Sequence, residues 1–125
     1  MFVYAMIDKT NPNASKIGVS NNPERREGEV GYVKTYGRYR VASRRDANLI
    51  ESMAKAFAIR KYGRAYTEGS ERLGFYSDGY TEFFNAPIKA AMGFILKALM
   101  MFRELGYDAL RSYRRKFTRV NNIRI

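Results

Sequence analysis

Residues 16 to 26 read Lys-Ile-Gly-Val-Ser-Asn-Asn-Pro-Glu-Arg-Arg and follow a hydrophobic run, Phe2 to Asp8, that carries Tyr4. A lysine, a tyrosine and an arginine pair so close together can be a turn and a helix start. They are also side-chain types that chemistry on a phosphodiester uses, with cations for phosphate oxygens and a group able to take up a proton. The chain contains neither histidine nor cysteine. Zinc fingers, histidine-dependent nucleases, Ser-His schemes, thiolate metal sites and disulfides are therefore excluded, and any catalysis must use Tyr, Lys, Arg, Asp or Glu. The formal net charge of +11 over 125 residues points to nucleic acid as the partner ahead of an anionic membrane surface.

The elements that must position these residues follow from local signals. Phe2 to Asp8 is rich in strand-favouring residues. Thr10-Asn11-Pro12-Asn13 signals a turn, and Ser15 to Val19 is short and apolar enough for a second strand. Together they predict a hairpin with a loop of about six residues. Asn22-Pro23-Glu24 starts a short helix, with Asn as cap, Pro in the first turn and an acid at the positive end of the dipole. Gly28 and Gly31 follow soon after it. Tyr36 to Ser43 is a third strand candidate. Asp46 can cap a helix reaching Tyr62, with Leu49, Ile50, Met53, Ala54 and Phe57 at helical spacing and Gly63 as terminator.

Residues 64–81 read as a long loop with room for a short strand at Leu73 to Tyr76. Pro87 opens a helix to Leu105 that ends at Gly106, with an apolar face of Ile88, Met92, Ile95, Leu96, Leu99 and Phe102. Lys89 and Lys97 make it a buried amphipathic helix rather than a membrane span. A last short helix covers Tyr107 to Phe117. The opening run lacks the basic flank of a secretory signal, so the expected location is the cytoplasm.

In this order the motifs resemble the GIY-YIG nuclease superfamily. Phe2-Val3-Tyr4 stands for the first motif, Lys16-Ile17-Gly18 for the second, Arg25-Arg26 for the arginine on the next helix, and Glu51 for the glutamate of a later helix. The likeness is to the phage-encoded branch in which Lys-Ile-Gly replaces Tyr-Ile-Gly; there Glu82-Phe83-Phe84 matches an element after the glutamate helix. The resemblance implies an α+β fold, a small three-stranded antiparallel sheet flanked by helices, covering about residues 2–84 of a single domain 1–125. A long C-terminal helix and a basic tail, about 85–125, are extra. Val30 stands where some relatives carry His or Tyr, with Tyr32 close by as a substitute.

What the resemblance implies for function is an endonuclease cleaving DNA, double-stranded in expectation, with one divalent metal, Mg²⁺ or Mn²⁺. Glu51 would hold the metal and Arg26 the scissile phosphate. Tyr4 would be the general base; a free tyrosine has a pKa of about 10, and Lys16 beside it would favour the phenolate. Gly18 would permit close approach at the site, and Asn85 is available for an accessory role. Arg25 and the clusters Arg38, Arg40, Arg44, Arg45 and Arg111, Arg114, Arg115, Lys116, Arg119 are the candidate nucleic-acid contacts, the second mixed with Tyr113 and Phe117 that can stack on bases or fill the core. Each residue also has an ordinary use: a half-buried strand aromatic, exposed charges, a bulge glycine. The alternative function is a catalytically inactive nucleic-acid-binding module on the same fold, serving a phage regulatory or host-interaction role.

Overall fold

Unbroken burial along the middle of the first strand sets the architecture. In β1 (Phe2–Asp8), Val3 and Ala5 point to one side and Tyr4 and Met6 to the other, and all four are buried. The sheet is thus packed on both faces. The computed structural model describes residues 1–30, 33–65 and 83–124; the strand expected at Leu73 to Tyr76, and Tyr32 and Glu82, lie outside them. The remaining elements are β2 (Asn11–Ser20), α1 (Pro23–Val30), β3 (Val33–Arg40), α2 (Arg44–Tyr62), β4 (Phe83–Phe84) and α3 (Ile88–Val120). The fold is α+β, with a four-stranded antiparallel sheet in the order β3-β1-β2-β4.

Three strands were expected, and β4 makes the fourth. It is only two residues long, pairing Phe84 with Ser15 and Phe83 with Lys16, too short to leave a periodic trace. The hairpin is also tighter than expected. Asp8 pairs with Asn11, and the Asp8 carboxylate accepts the Thr10 N–H and hydroxyl at 2.8 Å each. A register shift between Ile7 and Asp8 absorbs the residues around Pro12, which has no N–H to give a ladder. β3 begins and ends three residues before the expected strand, because Ser43 caps α2: its hydroxyl accepts from the Asp46 N–H at 3.2 Å. Asp46 therefore sits in the first turn and is not the cap.

Val3, Ala5, Ile17 and Phe84 face α2 and α3 and share the main core with Ile50, Met53, Ile95, Leu99 and Leu110. Alanines 47, 54, 58, 91 and 98 are fully buried there, so the two helices can approach closely. Leu96, expected on the apolar face, is 40% exposed; Ala91 and Ala98 occupy the contact instead. The opposite face buries Tyr4, Met6, Ala14, Val33 and Phe83 as a smaller cluster.

The C-terminal helix is interrupted where the sequence predicts. Gly106 has φ 80° and ψ 175°, the one non-helical residue inside α3. Phe57 of α2 touches Phe94 at 6.3 Å and Phe117 at 5.3 Å between ring centroids. In a straight helix those two rings would be about 35 Å apart, so the chain doubles back at Gly106. The second half runs alongside α2 and is fastened at its end, where Arg60 donates to Asn121 Oδ1 at 2.7 Å. Arg111 to Arg119 thus lie on a helix, the last one expected at Tyr107 to Phe117, which runs on to Val120. No helix among the described residues is long and apolar enough to cross a membrane.

Gly106 occupies backbone space that is open essentially to glycine alone. Gly106→Ala is expected to cost about 1–3 kcal/mol, measured by urea denaturation. An unchanged or raised stability would show that the reversal does not depend on this conformation.

Candidate functional site

β4 covers β2 only at Ser15 and Lys16. Beyond them the β2 edge borders a cleft of about 270 Å³, which collects side chains from three directions. Tyr4 and Lys16 come from the hairpin, Arg25 and Arg26 from α1, and Arg44, Glu51 and Lys55 from α2.

The hairpin places its pair by register. Tyr4 lies opposite Gly18, and Met6 opposite Lys16; with a period of two, all four share one face. A Cβ added at Gly18 would stand 2.4 Å from the Tyr4 hydroxyl oxygen and 2.5 Å from the ring carbon bearing it. The phenol end lies in the space that a side chain at 18 would fill. The close approach expected at Gly18 is therefore made by Tyr4 itself. Tyr4 and Lys16 are each 2% exposed, yet both line the cleft, so burial fixes them from behind and their exposed remainder faces the cavity.

α1 is set by its own caps and by two acids. The Asn22 side chain accepts from the Arg25 N–H at 3.3 Å, as the Asn-Pro-Glu signal predicts. Glu24 and Glu27, three residues apart and so on one helix face, both reach β3: Glu24 pairs with Arg38 through both carboxylate oxygens, and Glu27 accepts the Thr35 N–H. With that face tied to β3, both arginines turn to the β2 edge. Arg25, a candidate nucleic-acid contact, lines the cleft beside Arg26.

On α2, Arg44, Glu51 and Lys55 lie seven and four residues apart, one stripe of the helix. Lys55 Nζ is 3.4 Å from Glu51 Oε1. Sequence reasoning missed Lys55, although the i, i+4 spacing from Glu51 is a readable signal. Among the described residues, the cleft therefore holds five cationic side chains and one carboxylate. Tyr4, Lys16, Arg25, Arg26 and Glu51 each have partners, so none stands as an isolated group.

Other candidates fall elsewhere. Arg38 and Arg40 lie over the Phe2 ring, at 5.3 and 5.6 Å from its centroid, outside the cleft, and Arg38 is neutralised by Glu24. Asn85 is exposed and gives its backbone N–H to the Gly63 carbonyl. Arg115, Lys116 and Arg119 are exposed on α3. Phe117 packs edge-on against Phe57 and stacks with Tyr113, so it fills the core. Arg45, Arg111 and Arg114 line a second cleft.

Among the described residues, no group of three or more Asp, Glu, His or Cys side chains could hold a metal. Mg²⁺ binds through one or two carboxylates, substrate phosphates and retained waters. The single carboxylate Glu51 fits an ion of that kind, one that arrives with a phosphate, and the ion would have to displace Lys55. No protein-family model, curated protein or solved structure matches the chain.

The Tyr4–Gly18 contact reverses the usual sign of a strand substitution. Replacing a strand glycine by alanine ordinarily gains about 0.5–1 kcal/mol. Here Gly18→Ala is expected to destabilise by about 1–3 kcal/mol through overpacking. In a Tyr4→Ala background the same change should be neutral or stabilising, as read by a thermal double-mutant cycle. A loss of equal size in both backgrounds would show that Tyr4 is not what fills the space.

Proposed function

We propose that this cleft is a nuclease site that hydrolyses phosphodiester bonds of DNA, as the likeness to GIY-YIG nucleases implies. The observation that carries the reading is the meeting of Tyr4, Lys16, Arg26 and Glu51, from three separated elements, around one cleft with five cations and one carboxylate.

The chemistry divides among the chain's own residues. Arg25 and Arg26 take nonbridging phosphate oxygens, for which guanidinium offers a matched fork of donors. Arg44 and Lys55 add positive charge on the α2 side, where charge develops as the phosphorus is attacked. Tyr4 accepts the proton of the attacking water, and Lys16 on the same sheet face offsets the negative charge of its phenolate. Glu51 would hold a divalent metal, which when bound supplies Lewis acidity at the phosphate and the leaving oxygen. The buried hairpin keeps Tyr4 and Lys16 from moving, so the geometry is organised before substrate arrives.

A second reading is favoured by Lys55. Its pairing with the only carboxylate that lines the cleft among the described residues suits a basic groove that binds nucleic acid without cutting it. Cleavage separates the two readings.

Purified protein with Mg²⁺ or Mn²⁺ should nick or cut duplex DNA. Glu51→Gln and Tyr4→Phe should each lower the rate at least about 10²-fold while circular dichroism and the melting midpoint stay unchanged. Salt-dependent binding without cleavage by wild type, indifferent to Glu51→Gln, would leave the binding module as the function.

A further inference from the structure

The second cleft lies between the start of α2 and the half of α3 beyond Gly106, with a volume of about 470 Å³. Two helix stripes face each other across it. Arg45, Asn48 and Ser52 come from α2, and Tyr107, Arg111 and Arg114 come from α3. The guanidinium carbon of Arg45 sits 3.6 Å from the centroid of the Tyr107 ring. Stacking of this kind holds the guanidinium plane while its N–H groups stay directed outward from the edge. It also occupies one face of the Tyr107 ring.

Among the described residues no carboxylate lines this cleft, and none forms an ion pair with Arg45, Arg111 or Arg114. Arg114 Nε is buried without a hydrogen-bond partner among them. Buried donors in folded proteins are ordinarily satisfied, and an exception calls for an acceptor. Three guanidinium groups, two small polar side chains and an unmet donor suit a phosphate, which is tetrahedral, anionic and rich in acceptors.

The position relates this cleft to the first. Arg44 lines one and Arg45 the other, so the two open on adjacent faces of α2. We infer that the second cleft is a phosphate subsite that holds a backbone phosphate of the same DNA whose neighbouring phosphodiester occupies the first. Charge is its main readout, because three guanidinium groups without a lining carboxylate among the described residues favour a phosphate. That the phosphate belongs to DNA rests on the function proposed above; the subsite itself rests on the second cleft's own residues.

The test is fluorescence anisotropy with labelled duplex DNA in EDTA, across a salt series. One duplex is long enough to span both clefts and one short enough to fill only one. Arg111→Ala/Arg114→Ala should weaken binding of the long duplex about tenfold and lower the slope of log K against log salt by about 1, leaving the short duplex little changed. Arg111→Glu, at an exposed position, gives the same reading without disturbing the half-buried Arg114 and should weaken binding further. Unchanged affinity and slope for the long duplex in both variants overturns the subsite.

The failures are separable. Wild type that binds DNA in an Arg111-dependent way but cuts nothing with Mg²⁺ removes the nuclease and keeps the subsite. Mg²⁺-dependent cleavage with binding indifferent to Arg111→Glu does the reverse. A wild type that binds no DNA removes both.

Discussion

The absence of a side chain at position 18 is the constraint on which the cleft depends. Tyr4 and Gly18 are partners across the hairpin, and the phenol lies where a Cβ would otherwise stand. That one vacancy lets a large aromatic be almost wholly buried and still bring its hydroxyl to the sheet edge. The register that pairs Tyr4 with Gly18 also pairs Met6 with Lys16. The tyrosine and the lysine are therefore set by one hairpin, and a slip of one residue would send both to the other face.

The remaining cleft residues are placed by elements that are anchored on their far sides. α1 is tied to β3 through Glu24 and Glu27, which leaves its arginines turned to the β2 edge. α2 is buried on one side by a closely packed, alanine-rich contact with α3, and Arg44, Glu51 and Lys55 form its stripe on the cleft. In each case apolar packing or an acid–base clasp fixes the element and the functional side chain takes the remaining direction. The cost of concentrating five cations is offset by surrounding structure and by the one carboxylate.

Much of this was legible in the sequence, for local reasons. Asn22-Pro23-Glu24 announces a helix start, the Leu49-to-Phe57 spacing announces α2, and Gly106 announces an interruption. The motif order brought Tyr4, Lys16, Arg26 and Glu51 forward together, and all four line the cleft. What escaped was decided by contacts distant along the chain. β4 is a strand only because Phe83 and Phe84 meet Ser15 and Lys16. Gly106 signals that a helix stops, but the reversal is set by Phe57 meeting Phe94 and Phe117. Arg38 looks like a phosphate contact until Glu24, far off in sequence, is found paired with it.

The brevity of β4 has a consequence for how copies of this chain treat one another. A β2 edge left uncovered beyond Lys16 by any described strand is the sort of backbone on which a second molecule can add a strand. Here that edge is ringed by Arg25, Arg26 and Arg44, on a chain whose net charge is already +11. Long, like-charged side chains stand at the rim where an added strand from an identical molecule would have to pair. Charge at an open edge of this kind is the ordinary protection of a strand against unwanted pairing.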